Sequence, residues 1–172
     1  MQKVLVVVDY QNDFVSGALG FDGAQNVEEN IVKLIREFRA NYDQVVFTKD
    51  THFDNYMETV EGKNLPVPHC IKGTHGHELT VAVQNEVGYS PVFEKNTFPS
   101  LDLGNYLKGL NPKEIHLCGL VSDICVFSNA VIAKAACPNA EIYIHRDAST
   151  SYDLAMEEKT YEVAKHLHIN IV

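Results

Sequence analysis

The sequence predicts an α/β fold, a three-layer α/β/α sandwich around a mostly parallel sheet of about six strands. Short runs of β-branched and aliphatic residues recur along the chain, and helix-like stretches lie between several of them. The runs are apolar at successive positions, as expected of parallel strands covered on both faces. Right-handed crossovers then follow from the strand–helix alternation.

The elements come in this order. Val4–Val8 is a first strand that runs into Asp9. Val27, Ile31, Leu34, Ile35 and Phe38 recur at helical spacing, with Glu28, Glu29, Lys33, Arg36 and Glu37 on the remaining faces. Val45–Thr48 is a second strand, ending in Thr48, Lys49 and Asp50. From Asp50 to Gly76 the chain is polar and rich in His, Pro and Gly; so long a loop inside a compact domain points to function. Val92–Glu94 is a third strand, closed by Lys95, and Ile115–Gly119 a fourth, leading through Val121 and Ser122 to Cys125. Ile124 to Ala136 reads as a buried helix with Asp123 near its start. Ile142–His145, a surface helix over Leu154–His166 and a last strand over Ile169–Val172 complete the pattern.

The 172 residues suit a single domain spanning 1–172, which buries roughly 70% of its unfolded surface and needs no disulfide staples. The formal charge of −9 repels phosphate backbones and anionic membranes, so neither nucleic acid nor membrane is an expected partner. No apolar run approaches the roughly 20 residues of a membrane span. The start of the chain has neither the basic region nor the cleavage site of a secretory signal. Cys70, Cys118, Cys125 and Cys137 form no Cys-x-x-Cys pair. Reduced thiols in a cytoplasmic protein are the simplest expectation.

Ligands of open parallel sheets collect beyond the carboxyl ends of the strands. An acid (Asp9), a lysine (Lys95) and a thiol (Cys125) all fall there. For a lone Cys on an apolar helix, a structural thiol is the simpler account. The matching strand ends favour a nucleophile instead. The helix N-terminus and Lys95 are expected to lower the thiol pKa, Asp9 to take its proton, and first-turn amides to hold an oxyanion. Together these describe acyl transfer through a thioester.

Asp50, His52, Glu61 and His69 form a second set. Each His alone is best read as solvated, but four donors in one loop point to a metal, with zinc, iron and manganese all suited. His75 and His77 are expected at the surface or behind the donors. His116 and His145 are expected to be satisfied inside strands, and His166 and His168 to face solvent. Cys70, Cys118 and Cys137 read as structural. Phe14, Leu19 and Phe21 could form an apolar wall or simply pack the core.

Val-Val-Asp-Tyr-Gln-Asn-Asp-Phe at 7–14, Lys95 after Val92-Phe93-Glu94, and Gly119-Leu120-Val121-Ser122-Asp123-Ile124-Cys125-Val126 resemble the isochorismatase-like cysteine hydrolases, within them the nicotinamidase/pyrazinamidase branch. The resemblance runs nearly end to end. It implies an isochorismatase-like fold and Asp9, Lys95 and Cys125 as catalytic residues. It further implies an oxyanion hole of the Ser122 and Cys125 amides, a cis Val121–Ser122 peptide, and Phe14 and Leu19 in the substrate pocket. Isochorismatases proper lack the metal loop. Asp50, His52 and His69 match the nicotinamidase ligands and Glu61 the variant with a Glu. That branch implies one divalent metal, zinc foremost, which holds the pyridine nitrogen of nicotinamide or a close relative such as pyrazinamide. It also implies a homo-oligomer and a role in NAD salvage. Pro66 stands where many nicotinamidases carry a ring-stacking aromatic, leaving Phe14, Phe98 and Tyr106 as candidates for that contact.

Two alternatives differ in chemistry. One keeps the triad but takes another small amide or carbamoyl compound; the other is a non-catalytic thiol-based redox or small-molecule binding protein. A haloacid-dehalogenase-like phosphatase is excluded, because its second Asp would fall at Gln11.

Overall fold

The computed structural model describes residues 3–172. Strands β1 (Lys3–Val8), β2 (Gln44–Asp50), β3 (Val92–Lys95), β4 (Glu114–Leu120), β5 (Glu141–Thr150) and β6 (Ile169–Ile171) form one sheet in the order β3-β2-β1-β4-β5-β6. Every neighbouring pair is parallel. Helices α1 (Asn12–Val15), α2 (Glu28–Ala40), α3 (Val60–Asn64), α4 (Val81–Asn85), α5 (Leu101–Leu110), α6 (Phe127–Ala136) and α7 (Leu154–His166) connect and cover them. None is long and apolar enough to cross a membrane.

Alternation along β1 explains its apolar sequence. Val4, Val6 and Val8 pack with Leu103 and Leu107 of α5, Val126, Ala130 of α6 and Tyr161 of α7. Leu5 and Val7 point the other way, onto Ile31, Ile35 and Phe38 of α2 and Val83 of α4. With every β1 side chain from Val4 to Val8 fully buried, each contributes about 1.5–3 kcal/mol of apolar burial.

The sandwich and its parallel sheet are as expected, with several local differences. Helix α5 was not anticipated, although Ser100 caps it by accepting from the Leu103 N–H at 3.1 Å and Leu103 and Leu107 supply its buried face. Strand β5 extends past His145 to Thr150, with a register shift against β4 between Leu117 and Gly119. The long loop is not structureless. It contains a 3₁₀ turn at Tyr56–Glu58 and α3, which Thr59 caps by accepting from the Gly62 N–H at 3.0 Å.

The order of strands reverses direction between β1 and β4, leaving a crevice above that boundary. The two backbones approach closely there. Gly119, opposite Val8, has a φ of +116°, and a Cβ on it would lie 2.0 Å from the Val8 carbonyl oxygen. Gly119→Ala is therefore expected to cost about 3 kcal/mol or more, read as a lowered midpoint in thermal unfolding.

Away from that edge, His116 Nδ1 and His145 Nε2 lie 2.9 Å apart between β4 and β5, and His116 stacks on Tyr143. Glu114 bonds the other His116 nitrogen at 3.3 Å. Burial pushes both imidazoles down, His145 to about 4. A depressed histidine pKa means that the unfolded chain binds the proton more readily. The pair's contribution is then complete above about pH 6.5 and is lost as pH falls toward 4. Urea unfolding at pH 7 and pH 5 should show a drop on the order of 1–2 kcal/mol, part of which His145→Gln removes.

Candidate active site

Four strand ends supply the site. Asp9 follows β1 in the left-handed region, with φ of +46°, a conformation that Asp tolerates better than most residues. The Thr48 hydroxyl of β2 donates to Asp9 Oδ1 at 2.6 Å, and the Lys95 ammonium at the end of β3 forms an ion pair with Oδ2 at 2.6 Å. The same ammonium lies 3.1 Å from the Thr97 carbonyl, 3.5 Å from Asp50 Oδ1 and 3.8 Å from Cys125 Sγ. The Asp9 carboxylate is near enough to that thiol to push its pKa up. The structure thus brings Asp9, Lys95 and Cys125 together, all buried.

Cys125 sits in a π-helical turn, Ser122–Val126, that leads directly into α6. Asn129 steadies the turn by donating to the Cys125 carbonyl at 2.8 Å and to the Phe98 carbonyl at 3.1 Å. Two expectations change here. The cis peptide is Leu120–Val121, one bond earlier than expected. Ser122 is fully buried behind the cavity, its hydroxyl donating to Glu157, while Val121 takes the place on the cavity wall beside Cys125.

The electrostatics also differ from the simple expectation. Burial pushes the Cys125 thiol well up; Lys95 pulls it down, and Asp9 and Asp50 push it up. Burial likewise pushes Asp9 up against the pull of Lys95. Lys95 is held charged, because Asp9 and Asp50 outweigh the opposing cost of burial. The charge of Lys95 does not overcome burial beside two carboxylates, so the thiol is held above its ordinary pKa.

The second set also converges. Donor atoms of Asp50, His52, Glu61 and His69 all lie within 4.8 Å of one another. Asp50 Oδ2 is 2.9 Å from His52 Nε2 and 3.3 Å from His69 Nε2, and Glu61 Oε1 lies 3.5 and 3.6 Å from the same two nitrogens. His69 Nδ1 donates to the Val67 carbonyl at 2.8 Å, which orients the ring and turns Nε2 toward the two carboxylates. Two imidazole nitrogens and two carboxylate oxygens aimed at one point suit a divalent transition metal. Burial alone would push His52 down, but Asp50 and Glu61 hold it up at about 9. Burial pushes Asp50 up, and its bonds to both imidazoles with the Lys95 charge hold it well below the usual carboxylate range.

Several supporting residues carried no sequence signal of their own. The Gln11 amide donates to the carbonyls of Asp50 and His77, each at 2.8 Å, and accepts the Asp50 N–H at 2.7 Å, locking β2 to the turn after β1. Its position two residues after Asp9 is the only hint. Tyr56 packs against His52 and His69, with ring centroids 4.7 and 5.1 Å away, and donates to the Leu65 carbonyl. His75 is exposed, whereas His77 is buried and bonds Thr51 at 2.9 Å. All four cysteines are free and buried.

A cavity of about 440 Å³ opens onto both sets, lined by Cys125 and by Asp50, Glu61 and His69. Phe14, Leu19, Phe21 and Phe98 are in its wall, as are Ile124 and Tyr152. Pro66 is exposed and Leu65 stands at the wall instead. Tyr106 does not reach the cavity: its ring packs on Phe93 at 5.3 Å, because α5 faces the core.

The isochorismatase domain model matches residues 3–171. A Bacillus subtilis (strain 168) protein described as the uncharacterized isochorismatase family protein PncA is 33% identical over 166 residues, covering 89% of this chain and 88% of the relative. The crystal structure of nicotinamidase/pyrazinamidase PncA from Bacillus subtilis superposes with a TM-score of 0.89 at 31% identity, covering both chains completely. That of the pyrazinamidase of Pyrococcus horikoshii in complex with zinc gives 0.87 at 28% identity, covering 100% of this chain and 99% of the other.

The Asp9–Lys95 pair, with side chains 0% and 2% exposed, yields a stability test. Lys95→Met leaves a buried carboxylate unpaired and is expected to cost about 3–5 kcal/mol in urea unfolding. Adding Asp9→Asn should recover most of the loss, since no uncompensated charge then remains.

Proposed function

This chain belongs to the isochorismatase domain family, and on that premise we propose that it hydrolyses nicotinamide, or a close heteroaromatic amide such as pyrazinamide, to the acid and ammonia. One observation carries this: a single cavity touches the buried thiol on one side and three of the four metal-suited donors on another. At about 440 Å³ it falls within the size range of small-molecule sites. Its aromatic and aliphatic wall suits a flat ring.

The reaction follows from the positions of the protons. Cys125 Sγ attacks the amide carbon as its proton passes to the nearby Asp9 carboxylate. Lys95 holds Asp9 and stays protonated throughout, keeping positive charge within 3.8 Å of the sulfur as it becomes anionic. The oxyanion is received by the Cys125 amide and, since Ser122 lies behind the wall, by that of Val121. Asp9 returns the proton to the nitrogen, the C–N bond breaks and ammonia leaves. A water, deprotonated by the same carboxylate, then cleaves the thioester to the acid and regenerates the thiol. Atoms balance as amide plus water giving acid plus ammonia.

Asp50, His52, Glu61 and His69 would hold one divalent metal, and we favour zinc. When bound it would supply a Lewis-acidic anchor for a ring nitrogen. Such an activity would serve NAD salvage in the cytoplasm, in a homo-oligomeric enzyme.

The test is ammonia release from nicotinamide by purified protein, with metal content measured on the same sample. Cys125→Ala should reduce turnover by on the order of 10⁴-fold or more, with folding and metal content unchanged. Retained turnover in that variant would sink the thioester mechanism. Release from carbamoyl compounds but not nicotinamide would move the substrate assignment.

A further inference from the structure

The four donors between them line two cavities. The first is the thiol-bearing cavity, reached by Asp50, Glu61 and His69. The second, of about 570 Å³, is lined by residues 51–65 of the metal loop and 96–98, and is reached by His52 and Glu61. Glu61, Leu65 and Phe98 line both, and Cys125 lines only the first.

The two routes to the donors differ in chemistry. The first passes Phe14, Leu19, Phe21 and Ile124, and apart from the donors and Cys125 itself its one polar side chain is Tyr152. The second includes Asn55, Thr59, Asn64 and Thr97, whose amides and hydroxyls can replace part of a hydration shell as it is shed. Glu61 is the donor best placed to move. Its side chain is 15% exposed, against 5%, 4% and 2% for Asp50, His52 and His69. It is carried by the five-residue α3, whose two ends are tied to the Tyr56 turn through Thr59 and the Leu65 carbonyl.

Resting on the assignment of these four residues as metal ligands, we propose that the metal enters and leaves through the second cavity. Glu61 is the ligand that turns outward to pass it, so metal exchange and substrate binding use two different cavities.

The experiment measures how fast zinc-loaded protein gives up its metal to an excess of chromogenic chelator. Asn64→Trp and Val60→Trp, both at exposed positions on the second cavity, narrow that route; Leu19→Trp narrows the first. Either of the first two should slow release at least about tenfold with unchanged zinc content, and Leu19→Trp should leave the rate as it was. Slowing by Leu19→Trp alone, or by none of the three, overturns the proposed route while the ligand assignment stands. Wild-type protein that retains no zinc overturns the ligand assignment itself.

Discussion

A buried ammonium cannot be left without counter-charge, and around Lys95 that constraint organises the whole carboxyl edge of the sheet. Moving such an ion from water into the interior costs several kcal/mol even after relaxation. Asp9 at 2.6 Å offsets that cost, and Asp50 at 3.5 Å adds a second negative neighbour. Each of these groups closes a different strand, so the pairing fixes the relative heights of β1, β2 and β3. The in-register pairing of Asp50 with Lys95 expresses the same constraint through the backbone.

The ammonium also couples the two halves of the site. Asp50 turns Oδ1 toward Lys95 and Oδ2 toward His52 and His69, so one carboxylate serves the charge cluster and the metal-suited donors at once. Gln11 holds that carboxylate's backbone on both its N–H and its carbonyl. A shift of β2 along β1 would break these bonds together. The buried thiol stands beside Lys95 as well and lines the cavity.

The cavity itself is set by what stands where an aromatic was expected. With Pro66 in solvent, Leu65, Phe14 and Phe98 make the wall near the donors, and Phe21 with Tyr152 closes the far end in an edge-to-face pair. This wall comes from four separate segments of chain, so its shape depends on packing between loops more than on any strand.

The sequence by itself determined the sheet, its parallel sense and the identity of the chemical groups. Apolar runs such as Val4–Val8 can only be buried on both faces, and polar residues directly after such strands must collect at one edge. Asp9, Lys95 and Cys125 were legible for that reason, as were four donors gathered in one loop. Tertiary structure alone decided what those groups experience. The thiol of Cys125 responds to burial, to Lys95 and to two carboxylates far away in sequence, Asp9 and Asp50, which no local dipole argument contains. The same holds for Ser122 behind the wall, Tyr106 turned to the core, and Gln11 and Tyr56 as supports. Side-chain direction is fixed by packing between distant segments, whereas periodicity along the chain records only which residues are buried.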